Sequence, residues 1–401
     1  MSTPLNRKPQ SPAAGSALVA KVRTSTPNDT LPGPASSGAA SPGPASPART
    51  KSPTPAGEAP AIESPNPLPG SHWLQQGHPQ HDDDDTDSTL GSDVDSSTAS
   101  ISSSILNYRT INGRTYHSDS VTDGEYWAPN DPKHIEALDL YYHAADMVFG
   151  GKLHRAPLIE GKFENAIDIG TGSGLWAIDF ADKYAKCNVI GTDISPVQPS
   201  WVPPNLQFEI NDATKEWTYR DNHFDYIHMQ FLNGAFGDFM LKQVYDEAFR
   251  CCKPGGWFEH ADTSAILGCD DGTFKDHHAL MQWGKIYNKA AQKLGIIMTM
   301  AEDGLMEKTM RDAGFVNIKV VDLKMPLSPW PQDPKEKEIG LYASVTISSD
   351  VEGLIQYMFG NVLGWSKEEM AVYSAHVRRE LKDASLHGYA KWQVVYGQKP
   401  E

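Results

Sequence analysis

The sequence predicts a doubly wound α/β fold: an open, mainly parallel sheet with helices on both faces, its last strand antiparallel, behind a disordered N-terminal tail. Between residues 165 and 263 short apolar runs alternate with amphipathic stretches, the rhythm of strands joined by right-handed crossovers. The first of these runs leads directly into Gly170, Gly172 and Gly174, a strand-to-helix turn of the kind that opens nucleotide-type ligand sites. The tail is predicted by composition. Fifteen of the 29 prolines fall within the first 69 residues, and Trp73 is the only Phe, Tyr or Trp before Tyr108. Such a stretch buries too little apolar surface to offset the entropy of ordering it, so residues 1–106 are expected to stay disordered and 107–401 to form one domain.

In order along that domain, residues 107–164 read as a turn-rich cap, bearing Tyr108, Tyr116, His117, Tyr126 and Trp127, then a helix from about Pro132. Strands are expected at 166–170, 187–194, 206–212, 224–230 and 257–263, with helices at 175–184 and 242–252. Two helices follow, near 276–294 and 302–313, and then a strand at 316–323. The sheet core is thus placed at 165–334, a helical insertion at 335–390 and the last strand at 391–398.

Charge and composition exclude several function classes. A formal net charge of −16 is the wrong sign for direct nucleic-acid binding. The sequence contains no run of 18 apolar residues, so no membrane span is expected, and the first dozen residues carry no apolar secretion signal. Cys187, Cys251, Cys252 and Cys269 form no C-x-x-C pair, and no H-E-x-x-H occurs; no metal is expected. His78, His81 and Asp82–Asp85 read as a solvated charge run, and His277-His278 as an exposed helix face. Within the tail, Thr3, Ser11, Thr26, Ser41, Ser46, Ser52, Thr54 and Ser64 each precede proline, a pattern suited to proline-directed phosphorylation.

The chemistry is carried by Ala166-Ile-Asp-Ile-Gly-Thr-Gly-Ser-Gly-Leu-Trp176. Gly170 permits a tight turn and Gly172 lets the backbone approach a ligand. A dinucleotide site wants its third glycine at 175, where Leu175 stands. Asp168, inside the strand, would repel a pyrophosphate but suits a cationic amino-acid ligand. S-adenosylmethionine, with an ammonium, a sulfonium and no phosphate, is therefore the expected cofactor. Asp193, 25 residues on, ends the second strand where an acid accepts ribose hydroxyls. Asp212, in Asn211-Asp212-Ala213, ends the third, where an acid meets the adenine amino group. His228-Met229-Gln230-Phe231 after the fourth strand is not an Asn-Pro-Pro-Tyr tetrad, which argues against adenine or glutamine N-methylation of that type. The candidates for a catalytic base are His228, Glu259 and His260.

IDIGTGSGLWAIDFADKY, VIGTDISPVQPSWVPPNLQFEINDATKEWTY and CCKPGGWFEHAD resemble the fungal LaeA-like, or TAM-domain, methyltransferases, and the resemblance extends from about Tyr108 to Gly397. It includes Ser195–Pro204, a run that general methyltransferases do not share. The resemblance implies a class I methyltransferase fold. It also implies S-adenosylmethionine bound by Asp168, Gly170, Thr171, Gly172, Ser173, Gly174, Asp193, Ile194, Asp212 and Ala213, with Tyr116 and Tyr126 closing over the site. Members of the family act either in the nucleus or cytoplasm with protein partners, controlling secondary metabolism and development, or on a small molecule inside a pathway. The long tail favours the regulator; the alternatives are the pathway enzyme and a cofactor-binding assembly module. In the glycine loop G-T-G-S replaces the G-C-G-T-like run of the best-known regulator.

Overall fold

The computed structural model describes residues 21–24, 66–79, 104–122, 124 and 126–401. Most of the expected tail lies outside the described residues, as do all eight Ser/Thr-Pro sites, His81 and the Asp82–Asp85 run.

The sheet is built from β1 (Lys21–Thr24), β4 (Asn165–Ile169), β5 (Asn188–Asp193), β6 (Leu206–Ile210), β7 (Phe224–Gln230), β8 (Cys252–Thr263), β9 (Gly268–Cys269), β10 (Val316–Pro326) and β11 (Gly388–Gln398), while β2 (Arg109–Ile111) and β3 (Arg114–Tyr116) pair separately. Its order is β1-β10-β11-β8-β7-β4-β5-β6, with β9 paired to β11. β6, β5, β4, β7 and β8 run parallel, and β11 lies antiparallel between β8 and β10. The doubly wound order places the carboxyl ends of β4, β5, β6 and β7 along one edge, where such folds bind ligands.

The helices are α1 (Gly70–Gln76), α2 (Pro132–Phe149), α3 (Leu175–Lys183), α4 (Asp238–Cys251), α5 (Ala279–Leu294), α6 (Leu305–Asp312), α7 (Pro334–Ser349), α8 (Val351–Ile355) and α9 (Lys367–Lys382), with a π-helical stretch at Gln356–Val362. Local chemistry explains their starts. Pro132 and Pro334 stand at first-turn positions behind the caps Asp131 and Asp333, and Ser366 with Glu369 closes a capping box on α9. Apolar side chains of α4 and α6 cover one face of the sheet around Phe258 and Val395; α3 covers the other around Ala166 and Val189, and α2, α5, α7 and α9 enclose a further core over β10 and β11.

Several boundaries differ from expectation. α4 starts at Asp238, not Lys242, and Cys252 opens β8 instead of closing the helix; Lys253–Gly256 are strand. Pro254 has no N–H to give the ladder, and the β7–β8 register shifts between Phe224 and Tyr226. Burial raises the Cys251 thiol to about 11 and those of Cys187 and Cys252 to about 12; these are packing groups, not nucleophiles. His277 and His278 precede α5 instead of lying on it.

The larger difference falls inside the stretch expected to be disordered. α1 docks on α9, and Trp73 is wholly buried, edge-on to Tyr373 at 5.1 Å and tilted against His376 at 5.5 Å. Leu68 N–H donates to Gln282 Oε1 at 2.9 Å, and His376 Nε2 to the Gly77 carbonyl at 3.0 Å. Composition averaged over 106 residues hides one anchoring tryptophan.

The cap is held by charge. In the β2–β3 hairpin Asn112 and Gly113 adopt positive φ of 50° and 87°, as a tight two-residue turn requires. Arg114 then reaches both Asp131 and the fully buried Asp350, which also meets His134 Nδ1 at 2.9 Å. Among the described residues no helix is long and apolar enough to cross a membrane.

Candidate active site

A cavity of about 710 Å3 lies at the carboxyl edge of the sheet, between β4–β7 and the segment 117–130. Its floor is the loop after β4. Asp168 is buried; its Oδ2 accepts from Thr171 Oγ at 2.6 Å, and its Oδ1 lies 2.8 Å from His228 Nδ1. Gly170, Gly172 and Gly174 all have positive φ, yet they differ in role. A Cβ on Gly170 would meet Leu232 and one on Gly174 would meet the Phe208 ring, whereas one on Gly172 meets nothing and would stand in open space in the cavity it lines. Gly174 does not line the cavity; it is the left-handed cap of α3.

Asp193 continues the floor. Its Oδ2 accepts from Gly172 N–H at 2.8 Å and its Oδ1 from Ser195 N–H at 2.9 Å. Burial pushes its carboxyl up to about 6, against the main-chain donors that pull it down. Beyond it, Asp212 Oδ1 is occupied by the Thr214 N–H and hydroxyl, while its Oδ2 is buried without a partner. An orphaned carboxylate oxygen beside a cavity is costly unless a ligand donor meets it. Among the described residues Asp168, Asp193, Asp212 and Asp238 line the cavity against one Lys or Arg, Lys293, so its field favours a cation. Thr171, Ser173, Ile194 and Ala213 also line it.

The roof comes from the cap. Tyr126 lines the cavity, its hydroxyl pushed up by burial and by the nearby Asp193. His117 lines it too, its pKa lowered from the ordinary histidine value by burial and by Arg109, with Nε2 2.9 Å from the Gly124 carbonyl. Tyr116 does not line it. On a strand neighbouring side chains point to opposite faces, so Tyr116 turns inward, fully buried, against Tyr357 at 5.6 Å.

The three candidates for a base also lie outside the lining. His228 sits under the floor, stacked on Trp176 at 3.7 Å, and orients Asp168. Glu259 accepts the N–H groups of Arg155 and Ala156 at 2.6–2.9 Å, pinning the loop before β4. His260 is fully buried on the α4 side, with Nδ1 2.8 Å from Tyr245 Oη and Nε2 3.2 Å from Asp262, whose Oδ2 also accepts Leu232 N–H. These are positioning groups.

Sequence reasoning missed the aromatic wall of the cavity: Tyr141, Phe231 and Trp392, with ring centroids 4.7–6.0 Å apart, Trp392 stacked on the other two and these tilted to each other. Only the π-rich composition of α2 and β11 hinted at it. It also missed Asn130, whose Nδ2 donates to Ser195 Oγ at 3.2 Å and joins the cap to the floor.

A family model described as a methyltransferase domain matches residues 141–324. Methyltransferase pytC of Aspergillus terreus is 35% identical over 77% of this chain and 93% of its own length. The chain belongs to the LaeA-like methyltransferase family. Other relatives are the secondary metabolism regulator LAE1 of Cochliobolus heterostrophus, 29% identical over 72% of this chain and 94% of its own, and the protein-methionine methyltransferase laeA of Emericella nidulans, 29% over 72% and 76%. As a member of this family the chain is an S-adenosylmethionine-dependent methyltransferase, and its cavity fits that cofactor: acids for the cation, an unpartnered Asp212 oxygen for a donor, and open space over Gly172.

One pH dependence follows from Asp193. Hydroxyl donors favour the ionised carboxylate, so affinity for S-adenosylhomocysteine is expected to fall as pH drops through about 6, approaching about tenfold per pH unit below it. Without ligand the sign reverses. A carboxyl whose folded pKa is raised is destabilising once ionised, so its contribution to the free protein improves as pH falls from about 6 towards the unfolded value. Calorimetric titration across this range, with the melting temperature alongside, checks both; a flat affinity profile would remove Asp193 from the ribose site.

Proposed function

We propose that this chain transfers a methyl group to a neutral small molecule within secondary metabolism. The observation that carries the reading is the uncharged aromatic wall of Tyr141, Phe231 and Trp392 in the same cavity as the acidic floor, and the 35% identity to pytC supports it. In this reading Asp168 and the Thr171–Ser173 loop hold the cationic amino-acid end of S-adenosylmethionine. Asp193 accepts the ribose hydroxyls and Asp212 the adenine amino group, and Tyr126 and His117 close the roof against water. When bound, the cofactor supplies an electrophilic methyl on a sulfonium. The chain contributes orientation and water exclusion to an in-line transfer. Burial lifts the Tyr141 hydroxyl to about 12, so it does not serve as a base near neutral pH, and a proton displaced from the acceptor passes to solvent water after transfer.

A second reading, a regulator working with protein partners in the nucleus or cytoplasm, is supported by the likeness to LAE1 and laeA and by the eight Ser/Thr-Pro sites of the sequence. Metabolite profiling of a deletion strain separates the two. The pathway enzyme leaves one precursor, lighter than the lost product by a single CH2, with other metabolites unchanged; broad changes in metabolites or development favour the regulator.

A further inference from the structure

Behind the aromatic wall lies a second chamber of about 120 Å3. Tyr126, Ala128, Leu138, Tyr141 and Phe231 line both spaces, so the two adjoin along these side chains. Trp127, Trp283, Tyr287 and Met298 form much of its far side. Among the described residues no Asp, Glu, Lys or Arg lines it. His134, at its edge, is committed to Asp350, and Tyr287 Oη donates to the Leu354 carbonyl at 2.6 Å. One polar side chain is left open: Asn233 lines the chamber, and its Oδ1 is buried without a partner.

Size and polarity together select a ligand. An apolar cavity of about 150 Å3 stays dry and accepts a benzene ring, so this chamber matches one six-membered ring. A charged group would lose its hydration with no counter-charge in reach. A hydroxyl can donate or accept, and so satisfies the Asn233 amide whichever way it is turned.

The wall itself is strained at one point. Phe231 has a φ of 60°, a left-handed conformation that costs a non-glycine residue about 1–2 kcal/mol. It is held there by Phe231 N–H to the Ala261 carbonyl at 3.0 Å and by the Asp262 carboxylate on Leu232 N–H at 2.9 Å. The chain thereby sets the Phe231 ring between the two spaces.

We propose that this chamber is the site for a neutral aromatic ring bearing a hydroxyl, the ring of the methyl acceptor, with Asn233 as its hydrogen-bond partner. The inference rests on the small-molecule reading above and names its substrate class. The acceptor's remainder extends past Phe231 into the main cavity, beside the cofactor.

The test uses the full chain saturated with S-adenosylhomocysteine and titrated with p-cresol, toluene and benzylamine, followed by ligand-observed NMR. p-Cresol is expected to bind in the millimolar range, toluene about fivefold more weakly, as the loss of one neutral hydrogen bond implies, and benzylamine not measurably. Asn233→Leu should erase the preference for p-cresol over toluene. Ala265→Leu, or Leu267→Phe from another side, fills the chamber and should abolish binding of both rings while S-adenosylhomocysteine binds as before. Equal p-cresol affinity in a filled variant that still binds S-adenosylhomocysteine overturns the proposal. So does tighter binding of N-acetylmethionine amide than of p-cresol, which would point to a peptide side chain. If wild type fails to bind S-adenosylhomocysteine, the methyltransferase reading of the main cavity fails instead.

Discussion

Gly172→Ala is expected to weaken S-adenosylhomocysteine binding on the order of a hundredfold, about 2.7 kcal/mol, while barely touching the fold. The new Cβ meets no protein atom and stands where the ligand would approach. The left-handed φ of 57° adds about 1 kcal/mol of strain to the free protein. Gly174→Ala should behave in the opposite way. Its Cβ runs into the Phe208 ring and its φ is 86°, so overpacking of about 1–3 kcal/mol adds to the strain, and the melting temperature falls while affinity changes little. Titration and thermal unfolding of the two variants side by side measure the split. If the glycines gave matching profiles, Gly172 would be structural and the loop would not cradle the ligand.

Trp73→Ala should cost the domain about 3–5 kcal/mol, the range for emptying a buried aromatic site, lowering the melting temperature by roughly 5–10 °C. Trp73 fills a pocket among Tyr373, His376 and their neighbours on α9, so truncation leaves a void and frees α1. Thermal unfolding at fixed pH checks this. An unchanged midpoint would mean that α1 is dispensable and that folding begins at the cap.

The alternation of strands and helices from Asn165 to Thr263, the glycine loop and the acids at the ends of β4, β5 and β6 were legible because each is a local pattern. Period, turn chemistry and strand-end position are all set by residues within a few places of one another. What was not legible depends on which way a side chain turns. His228, Glu259 and His260 all sit on inner strands of a buried parallel sheet, where both faces are covered and polar residues carry no marker of side; the structure turns each away from the cavity. Tyr116 and Tyr126 are equivalent by composition, and only the pleat of β3 sends Tyr116 into the core. The Arg114–Asp350 pair joins residues 236 apart, a distance over which a single sequence offers no signal. Trp73 was visible as the lone aromatic of its region and was outweighed by the prolines around it.

The position of β11 bears on when the protein becomes competent during its synthesis. This strand, which follows both of its neighbours in sequence, does not extend the sheet at an edge but fills the slot between β8 and β10, and it carries Trp392 into the cavity wall. The cap hairpin emerges from the ribosome well before its anchor Asp350 and the wall residue Trp392. A nascent chain therefore holds β8 and β10 unpaired along facing edges until β11 has been made, and such non-local closure is slow. Cofactor binding then reports a filled slot, and the interval before β11 arrives is when the open slot is exposed to pairing with another chain.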